Sequence, residues 1–156
     1  MKISELLKEK YILTEFKSKD KEEIINEMID LFKDDERVSN LEEVRKCVLD
    51  REKIMSTGVG KGFAIPHGKT NSVNDIIAAF GKSNAPVEYN ALDGNPVQLI
   101  FLMVGQEKLV GSHIKVLSRI SRIMNNDDFR AKLLEAKSKE EILNAFENEE
   151  KTFNDI

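Results

Sequence analysis

Apolar residues recur along this chain at two spacings, and each spacing predicts its own kind of element. Ile24, Ile25, Met28, Ile29, Leu31 and Phe32 fall at helical intervals, so 21–33 is predicted to be a helix with one buried face. Asp20 ahead of it, with Glu23 three residues on, reads as a capping box. Leu41, Val44, Val48 and Leu49 define a second helix that opens at Ser39 or Asn40 and carries Arg51 in its last turns. Cys47 shares its apolar side and reads as a small buried thiol. Ile114, Leu117, Ile120 and Met124, flanked by Val116 and Ile123, define a third. Ser112 is its predicted N-cap, which makes His113 the first helical residue. Two shorter helices follow. One runs from Asp127 to Ala136 around Phe129, Leu133 and Leu134; the other is capped by Ser138 and Glu141 and buries Ile142, Leu143 and Phe146. Residues 3–9 give a brief amphipathic turn, and 149–156 are expected to fray.

The other spacing is continuous. Short apolar runs at Tyr11–Leu13, Phe63–Ile65, Ile76–Phe80 (ending at Gly81) and Val87–Tyr89 read as strands. Val97 to Val104 is the most hydrophobic run. It is too short to cross a membrane and lies between Pro96 and Gly105, so it is predicted to be a central strand buried on both faces. Strand, two helices, several strands and three helices imply an α/β fold. The expected architecture is a single layered domain over 1–156, with a mixed central β-sheet flanked by helices.

Punctuation concentrates in one place. Thr57 to Gly68 reads T-G-V-G-K-G-F-A-I-P-H-G and holds four of the eight glycines and one of the two histidines. Gly58, Gly60 and Gly62 at every second position suit neither helix nor strand and predict a loop with bare amides. Pro66 has no N–H and stops the strand before it. His67 is therefore expected at a strand end, exposed rather than buried. The spacing fits neither the dinucleotide fingerprint nor a G-K-[ST] phosphate loop.

Composition narrows the chemistry. The chain has 156 residues, suited to one domain that buries about 68–70% of its unfolded surface without disulfides or metal. One cysteine cannot form an internal disulfide and fits a reducing, cytoplasmic setting. The net charge is −4, with no basic block interleaved with aromatics, so nucleic acid is excluded as an expected partner. No ligand spacing such as H-x-x-x-H occurs, so no metal and no cofactor are expected.

Arg51-Glu52-Lys53, followed by Ser56 through His67, resembles the enzyme IIA domain of the bacterial sugar phosphotransferase system, fructose/mannitol class. Leu92-Asp93-Gly94-Asn95-Pro96-Val97 before the long strand, His113-Ile114-Lys115-Val116-Leu117-Ser118-Arg119-Ile120, Phe129–Leu134 and Ser138–Phe146 continue the likeness over nearly the whole chain. The chain departs from the family's frequent proline-containing loop after Val104, where it reads Gly105-Gln106-Glu107-Lys108-Leu109-Val110.

The resemblance implies a phosphoryl relay. His67 matches the phosphorylated histidine, Arg51 the phosphate-stabilising arginine and His113 the second, supporting histidine. Thr57, Gly58, Gly60 and Gly62 are candidates for a phosphate-binding loop. The implied donor is the histidine-containing phosphocarrier protein. The implied acceptor is a IIB domain working with a membrane IIC component, with no direct sugar binding. A nitrogen-related regulatory IIA protein is the alternative. A neutral imidazole suits the task because its ordinary pKa of about 6.5 leaves a lone pair free near neutral pH. Arginine can meet two phosphoryl oxygens at once. In the family the phosphoryl group sits on Nε2, which leaves Nδ1 free for a backbone carbonyl.

Overall fold

The apolar run predicted to be central forms strand β6, Val97–Gly105, and every strand but two pairs with it directly. The computed structural model describes residues 2–153. Within them β1 is Ile12–Leu13, β2 Gly58–Gly60, β3 Phe63–Ala64, β4 His67–Lys69 and β5 Ile76–Val87. The order is β1-β5-β6-β3-β2, with β4 also paired to β6. β5 runs antiparallel to β6, with Phe80 opposite Phe101. β3 and β4 both run parallel to β6, one after the other along it: Phe63 pairs with Leu99, and His67 with Met103. The sheet is therefore mixed.

Because neighbouring side chains on a strand point to opposite faces, β5 and β6 supply two cores. Ile76, Ala78, Phe80, Leu99, Phe101 and Met103 pack against helices α1 (Ile3–Leu6), α4 (Val110–Met124), α5 (Asp127–Glu135) and α6 (Lys139–Phe153). Ile77, Ala79, Ile100, Leu102 and Val104 pack against α2 (Lys21–Asp30) and α3 (Leu41–Ile54). The caps follow the sequence. Asp20 accepts from the Glu23 amide at 2.9 Å, Asn40 from the amides of Glu42 and Glu43, and Ser138 from Glu141 at 3.1 Å.

Five expectations are corrected. The run at 76–80 and Val87 belong to one strand, β5, whose polar middle bulges between Lys82 and Val87 before pairing resumes; Glu88 and Tyr89 lie beyond it. Lys82 is buried there because its ammonium donates to the Leu134 carbonyl at 2.9 Å and to that of Ala136, at the end of α5. Helix α4 begins at Val110 with Leu109 as N-cap and no side-chain cap, so His113 lies a turn inside it and Ser112 caps nothing. The glycine stretch is an antiparallel hairpin of β2 and β3 rather than an open loop, with positive φ at Gly60, Lys61 and Gly62. Pro66 does not end the sheet: its carbonyl accepts from the Met103 amide at 3.1 Å, and His67 starts β4. Finally, 149–153 is helical rather than frayed; 154–156 lie outside the described residues. Glu150 is 1% exposed and accepts from the amides of Ile3 and Ser4 at 2.6 and 2.7 Å, with Arg119 at 3.5 Å.

Candidate active site

His67, Lys69 and Gly105 meet where β4 runs alongside the carboxyl end of β6. His67 pairs with Met103 and Lys69 with Gly105, so both side chains face the α4 layer. Gly68 between them faces the other way. A Cβ on it would lie 2.6 Å from the Cys47 sulfur, so glycine is what lets α3 pack against β4. From the α4 layer His113 lies over Gly105, where a Cβ would come within 2.8 Å of its Nδ1. The rings of His67 and His113 are 5.8 Å apart and tilted by 59°. Arg51 reaches the same place from α3. The resulting open cleft, of about 350 Å³, is lined by the two histidines, Arg51, Cys47, Lys69 and Ile114, among others.

The two imidazoles are held differently. His67 Nδ1 lies 2.8 Å from the Ile65 carbonyl. A carbonyl can only accept, so Nδ1 carries the proton and Nε2 keeps its lone pair. His67 is partly exposed, and its pKa is lowered, first by burial and then by the charges of Arg51 and Lys69; the Ile65 bond and Glu52 pull the other way. His113 is 1% exposed, and neither ring nitrogen has a hydrogen-bond partner among the described residues. Burial, with the charges of His67 and Lys69, lowers its pKa to about 4. Both rings are thus neutral near neutral pH.

Arg51 donates from Nη1 to the Met55 carbonyl at 2.8 Å, which leaves its other N–H groups available to an anion. The next residue, Glu52, is 7% exposed and fixes the connection from α3 to β2. Its carboxylate accepts from the Thr57 amide at 2.7 Å, the Thr57 hydroxyl at 2.5 Å and the Tyr89 hydroxyl at 3.1 Å, and pairs with Lys21 at 3.0 Å. Cys47 has its thiol pushed up to about 11 by burial and by Asp50, Glu43 and Glu107, so it stays protonated and is no nucleophile.

The structure brings His67, His113 and Arg51 to one cleft. It does not bring Thr57, Gly58, Gly60 and Gly62 there. Thr57 serves Glu52, the Gly58 amide donates to the Ser56 hydroxyl, and the hairpin tip is tied to Asp93 through the Lys61 amide. The backbone carbonyl expected at Nδ1 is that of Ile65, and three neighbours escaped the sequence reading: Lys69, Glu52 and Gly105. Lys69 alone had a local signal, since strand alternation puts it on the face of His67.

Comparison with known proteins agrees with this geometry. Residues 5–149 match the model of the family described as phosphoenolpyruvate-dependent sugar phosphotransferase system, EIIA 2. A fructose-specific EIIABC component of Bacillus subtilis is 37% identical over 151 residues, 97% of this chain; the chain spans only 24% of that protein's length. A nitrogen regulatory protein of Bradyrhizobium diazoefficiens is 34% identical over 137 residues, covering 85% of this chain and 86% of the relative. Among solved structures, the nitrogen regulatory protein IIA-Ntr of Neisseria meningitidis superposes with a TM-score of 0.86 at 33% identity, over 92% of this chain and 98% of that one. The Escherichia coli complex of enzyme IIA-mannitol with phosphorylated enzyme IIB-mannitol gives 0.78 at 21% identity, over 91% and 97%, a likeness of fold. A match over nearly all of the sequence, on a fold that sets two neutral imidazoles beside an arginine, places this chain in the EIIA 2 family of the sugar phosphotransferase system.

Proposed function

We propose that residues 1–156 act as one phosphoryl-relay unit in which His67 is the acceptor. The observation that carries this is the 2.8 Å contact from His67 Nδ1 to the Ile65 carbonyl, which leaves Nε2 unprotonated at a cleft shared with His113 and Arg51. Nε2 attacks the phosphorus of the phosphohistidine on the phosphocarrier protein. A new P–N bond forms, the old one breaks, and its electron pair returns to the carrier's imidazole. The proton stays on Nδ1, where the Ile65 carbonyl holds it against the positive charge the ring acquires. Transfer to a IIB domain repeats the step with His67 as the leaving group. Positioning and charge stabilisation carry most such reactions, and here they fall to Arg51 and His113. The name of the Bacillus subtilis relative supports a fructose-class system in which IIB and IIC parts accompany the IIA unit. The sugar itself need not touch this chain.

The Neisseria meningitidis structure supports a second use of the same chemistry, in which the phosphorylation state of His67 regulates partner proteins. Incubation with phosphoenolpyruvate, enzyme I and the phosphocarrier protein, followed by intact-mass and peptide mass spectrometry, tests the shared step. One acid-labile phosphoryl group is expected on His67 and none on His67→Ala. Labelling of the Ala variant would remove His67 from the role. Onward transfer to a IIB domain, present or absent, separates transport from regulation.

A further inference from the structure

Lys69 is the cation of this cleft that the family likeness leaves without a role. It stands two residues from His67 on the same face of β4, so the two Cα atoms are about 7 Å apart. Its register partner is Gly105, the residue over which the His113 ring lies. Lys69 therefore stands beside both imidazoles, and its charge acts on both. The side chain lines the cleft, is exposed, and forms no hydrogen bond or ion pair among the described residues. Arg51, by contrast, already has one N–H on the Met55 carbonyl. A long flexible stem with an unpartnered ammonium, rooted next to the nucleophile, can follow a phosphoryl group as it forms on Nε2.

We propose that Lys69 is a second phosphoryl-binding cation, meeting the oxygens of the group on His67 from the strand side while Arg51 meets them from α3. This rests on the reading of His67 as the acceptor. In that reading a group of charge about −1.5 to −2 arrives in a cleft where only Arg51 is otherwise positive. Charge-assisted contacts from two sides hold such a group in line for transfer better than one fork does.

Phosphoramidate tests this without any docking protein: His67 Nε2 attacks its phosphorus, the P–N bond breaks, and ammonia leaves. The full chain is compared as wild type, Lys69→Gln, Lys69→Arg and His67→Ala, with phosphohistidine followed by ³¹P NMR. Lys69→Gln is expected to accept the group about ten-fold more slowly. The deficit should narrow at high salt, and Lys69→Arg should recover most of the rate. A merely structural role would not follow ionic strength. If the wild type and Lys69→Gln label at equal rates and lose the group equally fast, Lys69 is overturned and His67 stands. If the wild type takes no group on His67, both readings fall together.

Discussion

Removing the Glu52 carboxylate should loosen the last turn of α3, which carries Arg51, and its connection to β2 before it harms the rest of the molecule. In Glu52→Ala the Thr57 amide and the Tyr89 hydroxyl lose their acceptor, and the two residues are 3% and 0% exposed. The Thr57 and Tyr89 hydroxyls lie 3.1 Å apart and can still bond each other, so one of the two hydroxyl bonds is recovered. That leaves a buried amide and one hydroxyl hydrogen unsatisfied, at about 1–3 kcal/mol each, or about 2–6 kcal/mol together. Lys21 is a quarter exposed, and its lost pairing adds little. Glu52→Gln keeps one acceptor oxygen and should cost about half as much. Urea titration gives the stabilities, and phosphoryl acceptance is then measured under conditions where each variant is folded. Acceptance should fall in the order wild type, Gln, Ala, because Arg51 and its Met55 perch lie within the loosened segment. A Glu52→Ala protein within about 0.5 kcal/mol of wild type would show that water satisfies those groups and that the carboxylate holds nothing in place.

Two further outcomes follow from His113. Its folded pKa of about 4 lies below the ordinary 6.5, so as pH falls the unfolded chain takes up the proton first. Its share of stability is therefore complete above about pH 6.5 and is lost progressively down to about pH 4, at about 2 kcal/mol between pH 7.5 and 5. Urea titrations at both pH values should show His113→Gln losing less stability than wild type by about that amount; equal losses would mean the ring is solvated. Gly105→Ala would set a methyl 2.8 Å from His113 Nδ1 and should cost about 1–3 kcal/mol while slowing phosphoryl acceptance. An unchanged melting temperature with unchanged labelling would refute that packing.

What could be read without coordinates depended on how local the cause was. α2 and β6 were legible because a capped 3.6-residue repeat and an unbroken apolar run each leave few alternatives. β5 reads as two runs because Gly81 closes the apolar stretch; past it Lys82 is buried, and only the distant carbonyls of Leu134 and Ala136 make that tolerable. The start of α4 was misplaced because Ser112 advertises a cap, whereas the His113 amide already donates to Leu109 at 2.9 Å. His67 announced itself through Pro66 and the glycines. Lys69 was within reach by strand alternation from His67, but Gly105 was not, since it joins them only through the register of β4 on β6. The glycine hairpin misled because φ-permissive residues mark a tight reversal as readily as an anion cradle.

Glu150 joins α6 to the amides of Ile3 and Ser4, 147 and 146 positions earlier in the sequence. On a ribosome adding about 5–20 residues per second, the opening turn waits about 7–30 s for the carboxylate that will hold it. Until then Ile3, Leu6 and Leu7 have no lid of α6 over them and stand ready for a chaperone or a protease. The turns around Glu150 are a late stitch of this fold, and removing them would uncover Ile3, Leu6 and Leu7.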